Sequence, residues 1–121
     1  MKHDEPDQRG KFLTKEGFEK LRDFADTKET PFVVIDLEKI SERYDELVRV
    51  LPNAKIYYAV KANPNDEVLG TLHQKGSHFD VASIYEINQM LGLGVGPEKL
   101  SFGNTIKKER DIGMIIVDYL Q

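Results

Sequence analysis

A lysine at the end of an apolar run is the first residue in this chain whose type and position could do chemistry. In "IYYAVKANPND", residues 56 to 66, strand-forming and small residues lead into Lys61, and the chain then breaks at Asn-Pro-Asn-Asp. Desolvating a charge there costs several kcal/mol, so the plain reading is a strand that has reached water. The chemical reading is a lysine held in a pocket as a nucleophilic amine. An amine in water has a pKa of about 10.4 and is a poor nucleophile while protonated; a partly desolvated pocket frees it. Two further polar residues, Asp80 and Asn104, stand at the ends of the next two apolar runs. Each also has a plain reading, as a cap for the helix that follows.

The elements that must position these residues alternate. A polar lead-in precedes a helix over residues 13–25, with Thr14 as its N-cap. "FVVID" reads as a strand, and "LEKISERYDELVRVL" as an amphipathic helix stopped by Pro52. "AKIYYAVK" is a strand, and "NDEVLGTLHQKG" a helix opened by Asn65 or Asp66 and closed at Gly76. "HFDVA" is a strand, and "SIYEINQMLGLG" a helix whose Ser83 and Glu86 form a capping box. "KLSFG" is a strand, "NTIKKERDI" a short helix and "MIIVD" a last strand. No tight hairpin joins two strands, which is the signature of right-handed βαβ units and a parallel sheet. Strands near 56–60, 78–82, 100–103 and 114–117 should be parallel neighbours in chain order. Lys61, Asp80 and Asn104 then gather at the carboxyl-end rim, where α/β folds bind ligands. Alternation puts Tyr57, Ala59 and Lys61 on one face and Ile56, Tyr58 and Val60 on the other. The small Ala59 below Lys61 leaves room for something flat.

Other candidates fail. "GLGVGP" resembles a phosphate loop but follows a helix and precedes a strand, so it reads as a C-cap and turn. His3, His73 and His78 lack metal-ligand spacing, and no metal site is expected; His73 and His78 read as surface residues. Lys107, Lys108 and Arg110 read as a solvated basic face. The 121 residues carry 17 basic and 21 acidic side chains, a net charge of −4, which argues against nucleic acid as a partner. Zero cysteines exclude a disulfide framework and fit a reducing cytoplasm. The polar N-terminus reads as having no signal peptide, and no apolar run is long enough to span a membrane.

"TPFVVIDLEKI", "YYAVKANP", "HFDVASIYEI" and "LSFGNTIKKERDI" together resemble the N-terminal part of the fold-type III pyridoxal-phosphate decarboxylases. These act on ornithine, lysine or arginine and share a barrel with alanine racemase and diaminopimelate decarboxylase. The resemblance covers roughly residues 11 to 112. It implies an α/β fold, a partial (β/α)8 TIM barrel of the alanine racemase-like type with three to four β/α units. Residues 1–30 would be a lead-in with one helix, and residues 31–121 the N-terminal part of the barrel domain. Lys61 matches the lysine that carries pyridoxal 5'-phosphate covalently, and Ala59 the small residue beneath the cofactor. Asp80 matches a carboxylate near the lysine nitrogen, and Glu86 a nearby acid, with the capping-box reading of Glu86 standing beside it. The implied function is a basic amino-acid decarboxylase of polyamine biosynthesis, cytoplasmic, taking ornithine or lysine and working as a homo-oligomer. A full barrel needs about 250 residues, so these 121 are expected to be inactive alone. The alternatives are a catalytically silent homologue that binds a partner, or a diaminopimelate decarboxylase-like fragment.

Overall fold

A computed structural model describes residues 14–113 of the chain. The fold divides into a unit that ends at Ile35 and a second that begins at Asp36. The first unit holds helix α1 (Lys15–Ala25), opened by Thr14, whose Oγ1 accepts from the Gly17 N–H at 3.1 Å. The predicted strand "FVVID" is not one. Residues 32–36 are extended but pair with no strand among the described residues, and Val33 is 88% exposed. A β-branched run favours extended backbone, yet a strand exists only where a ladder partner accepts it.

The second unit opens at helix α2 (Leu37–Val50), capped by Asp36, whose Oδ1 accepts from the Lys39 N–H at 3.0 Å. Strand β1 (Tyr57–Ala59), helix α3 (Asp66–Gln74), strand β2 (His78–Val81), helix α4 (Ile84–Gly92) and strand β3 (Leu100–Phe102) follow. The three strands form one parallel sheet in chain order β1-β2-β3, as the alternation predicts. The expected strand at 114–117 lies outside the described residues.

Two segments depart from expectation. β1 is shorter than "AKIYYAVK" because the chain turns through a 3-10 helix, Val60–Ala62, directly after Ala59. Val60 is fully buried there, so burial of an apolar side chain bends the chain out of the sheet. The helix expected from Asn104 begins only at residue 109. Asn104 instead makes a local turn, its Oδ1 accepting from the Ile106 N–H at 3.3 Å, and that closure competes with helix formation.

Register sorts the sheet into two faces. Tyr58, Phe79 and Leu100 are ladder partners on one face, joined by the Val81–Phe102 pair. Phe79 and Val81 are fully buried and pack with Val68, Leu69 and Leu72 of α3 and Ile87 and Met90 of α4. Each fully buried side chain of this size contributes about 1.5–3 kcal/mol by leaving water. Ala59, Asp80 and Ser101 form one row on the opposite face, and all three are only half-buried. α4 ends as the "GLGVGP" reading expects. Gly94 takes φ +81°, and the Val95 N–H donates to the Met90 carbonyl at 3.0 Å, the bond pattern of a glycine C-cap.

Phe79→Ala should therefore cost about 3–5 kcal/mol in urea unfolding. Tyr85→Ala, at a side chain 82% exposed, should stay within about 0.5 kcal/mol. Equal costs for the two would contradict this placement of the core.

Candidate functional site

Three strand-end loops meet at the carboxyl rim of the sheet; Ala59, Lys61, Asp80 and Asn104 fall on them or on the strands below, and Glu86 lies in the first turn of α4. Ala59 ends β1 and pairs with Asp80 of β2. Lys61 follows on the 3-10 turn, exposed, and its ammonium has no hydrogen bond or ion pair among the described residues. The enclosing pocket expected around it is not formed by those residues. The loop after it is rigidified locally. Asn63 Oδ1 accepts from the Asn65 N–H at 3.1 Å, and Asn65 Oδ1 caps α3 through the Glu67 and Val68 N–H groups at 3.0 and 3.2 Å.

Asp80 is half-buried, and its carboxylate hydrogen-bonds to no group among the described residues. It lies directly against Gly103. A Cβ built on Gly103 would meet Asp80 Oδ1, with Oδ2 at 2.8 Å and Cγ at 2.9 Å, closer than real Cβ contacts come. Glycine after β3 is what leaves the carboxylate its present position. The Gly103 N–H donates to the Val81 carbonyl at 3.0 Å, so the exits of β2 and β3 are joined one residue beyond Asp80.

Asn104 sits on the same rim but caps no helix. Its Nδ2 donates to the Ala82 carbonyl at 3.0 Å, binding the loop after β3 to the loop after β2. Glu86 does what its capping-box reading expects, in a shifted form. Its N–H donates to Ser83 Oγ at 3.3 Å, while its Oε2 accepts from the Ala82 N–H at 2.6 Å. One Glu86 oxygen is thus committed to the backbone.

Reading from sequence missed two residues on the open face. His78 is ladder partner to Tyr57, and their rings stand 5.0 Å apart at 47°. His78 shares the face of Asp80 by simple alternation, the signal that could have placed it there. Ser101 lies beside Asp80 and follows from the same rule applied to "KLSFG". An apolar cavity opens elsewhere. About 480 Å³ opens between α2, α3 and β1, lined by Ile40, Tyr44, Leu47, Tyr58, Val68 and Leu72 among others. It is apolar and on the Tyr58 face, and Lys61 does not line it.

Residues 37–118 match the family model described as pyridoxal-dependent decarboxylase, pyridoxal binding domain. The chain belongs to that family. It is 43% identical over 83 residues to a lysine/ornithine decarboxylase of Selenomonas ruminantium, covering 69% of this chain and 21% of the relative. It is 40% identical over 94 residues to a chloroplastic ornithine decarboxylase of Nicotiana glauca, covering 78% of this chain and 21% of the relative. A lysine/ornithine decarboxylase of Vibrio vulnificus, solved with putrescine, superposes with a TM-score of 0.77 at 26% identity. The match covers 88% of this chain and 29% of that one. The chain thus spans about a fifth of the length of the curated relatives it matches. Among the described residues no helix is long and apolar enough to cross a membrane.

In this pyridoxal-binding domain the open face also carries a pH-sensitive contact. Burial, then Lys55 and Lys99, push the His78 imidazole below its usual range, with Glu98 opposing. The folded chain therefore takes up this proton less readily than the unfolded chain. The stability from neutral His78 is fully present above pH 6.5 and falls as pH drops below that toward the folded value. His78→Gln should flatten the fall in urea midpoint between neutrality and about pH 5. An unchanged slope in the variant would show that other groups cause it.

Proposed function

We propose that this chain is the N-terminal, cofactor-anchoring part of a pyridoxal-phosphate-dependent decarboxylase acting on ornithine or lysine. The observation that carries this reading is one geometry inside a pyridoxal-binding domain. A lysine amine with no partner among the described residues stands at the strand-end rim, two residues past the small Ala59, which pairs with Asp80.

The residues fit one end of the cofactor. Lys61 offers an aldehyde an amine with no partner among the described residues, Ala59 a low floor for a flat ring, and Gly103 the clearance that lets the Asp80 carboxylate keep its position. Pyridoxal phosphate, when bound, supplies an electron sink for the pair left on a substrate carbon as carbon dioxide departs. Lys61 would hold the cofactor through its amine. Asp80, an acceptor with no donor among the described residues, would orient the lysine nitrogen and steady positive charge beside it. Glu86 acts on this site through Ala82, whose N–H its Oε2 accepts from.

The finer assignments follow from the same reading. The barrel domain begins near residue 31 and closes with strands beyond the three described. An ornithine or lysine substrate suits polyamine biosynthesis, with the cytoplasm as the proposed compartment. A homo-oligomer is favoured by apolar side chains left open to water, such as Val50 at 72% exposed.

In the full-length protein, added pyridoxal phosphate should give a visible absorbance band that borohydride removes. Lys61→Ala should abolish the band and lower turnover by several orders of magnitude. Lys61→Arg should fail nearly as badly, because a guanidinium stays protonated. Asp80→Asn should be milder, about a hundredfold, as expected for a misplaced reacting group. The 121-residue chain by itself should release no carbon dioxide from ornithine, lysine or arginine above background. A band retained in Lys61→Ala, or turnover by this chain alone, would contradict the assignment.

A further inference from the structure

We propose that Gln89 and Asn104 are positioning residues whose side-chain amides tie the three strand-end loops into one unit and so fix where Lys61 and Asp80 stand. The inference rests on the cofactor-site reading above. Gln89, on α4, donates through Nε2 to the Pro64 carbonyl at 2.8 Å and to Asp66 Oδ1 at 2.6 Å. The loop that begins two residues after Lys61 is thereby fastened to the helix that follows Asp80. Asn104 fastens the third loop to the second through Ala82. Ala82 is held from both sides, its N–H by Glu86 and its carbonyl by Asn104. α4 is the hub, reaching Lys61's loop through Gln89 and Ala82 through Glu86.

The chemistry of the two residues is specific. A primary amide presents two N–H donors and one acceptor. Gln89 uses its nitrogen on two oxygens, and Asn104 uses its nitrogen on Ala82 and its oxygen on Ile106. A carboxylate of the same shape only accepts. Gln89→Glu thus sets an acceptor against a carbonyl and the Asp66 carboxylate, and Asn104→Asp keeps the Ile106 bond while setting an acceptor against the Ala82 carbonyl. Neither substitution alters Lys61 or Asp80 itself. Loops are the mobile parts of a fold, and a displacement of about 1 Å at a reacting group can cost about a hundredfold in rate.

The test uses full-length protein as wild type, Gln89→Glu, Asn104→Asp and Gln89→Lys, with Lys61→Ala as the blank. Gln89→Lys restores a donor to the same carbonyl and carboxylate. The readouts are the rate at which pyridoxal phosphate produces the Lys61-dependent absorbance band, the pH midpoint of that band, and the melting temperature. Both acidic variants should slow band formation by about ten- to a hundredfold and move its pH midpoint, while melting within a few degrees of wild type. Gln89→Lys should return most of the rate. Acidic variants that fold and match wild type in rate and midpoint overturn the inference and leave the Lys61 reading intact. A wild-type protein with no Lys61-dependent band overturns both. If Asn104→Asp does not fold, the Gln89 pair decides the matter, since that side chain lies at the helix surface.

Discussion

The ladder step that aligns Ala59 with Asp80 and Asp80 with Ser101 is the constraint on which the rest of the site depends. Parallel strands carry their carboxyl ends to one rim, and side chains paired across the ladder share a face. A slip of one residue would move Asp80 to the helix side and Phe79 to the open side. That slip is opposed by the buried packing of Phe79 and Val81 against α3 and α4. The apolar core on one face therefore sets the geometry of the polar groups on the other. It also explains why a carboxylate and an amine can be presented without partners among the described residues: neither contributes to holding the sheet together.

The same division accounts for the exposure of the site. Tyr57, His78, Asp80 and Ser101 leave their face open to water to varying degrees, as the lining of a partial barrel does. In a closed barrel such a face would be an interior filled by side chains, and a carboxylate there would interact more strongly in the lower dielectric. The close approach of Asp80 to Gly103 shows that crowding at the rim begins with the three strands already present.

Much of this was legible from local pattern. Alternation placed Ala59 on the face opposite Tyr58, and strand order placed Asp80 at the rim. Thr14, Asn65 and Ser83 were recognisable as helix starts because the capping oxygen lies two or three residues from the N–H groups it accepts from. Gly94 was recognisable as a helix stop because few other residues take its φ. What could not be read depended on partners far along the chain. Asn104 looked like the start of a helix, and only the position of Ala82 makes it a strand-end tie. Gln89 carried no signal at all, since Pro64 and Asp66 become its neighbours only after the sheet forms. "FVVID" shows the reverse failure: its propensity is that of a strand, but pairing belongs to the neighbour as much as to the segment. Val60 behaves similarly, its burial rewarding a turn where alternation alone continued the strand.

The central claim is that one lysine, placed by that register, anchors the cofactor. The direct measurement is borohydride reduction of the full-length protein with pyridoxal phosphate at equimolar concentration, followed by peptide mapping by mass spectrometry. The account predicts a single pyridoxyl label on the peptide that contains Lys61, near one per chain. Label spread over exposed lysines such as Lys107 and Lys108, or confined to a lysine other than Lys61, would contradict it.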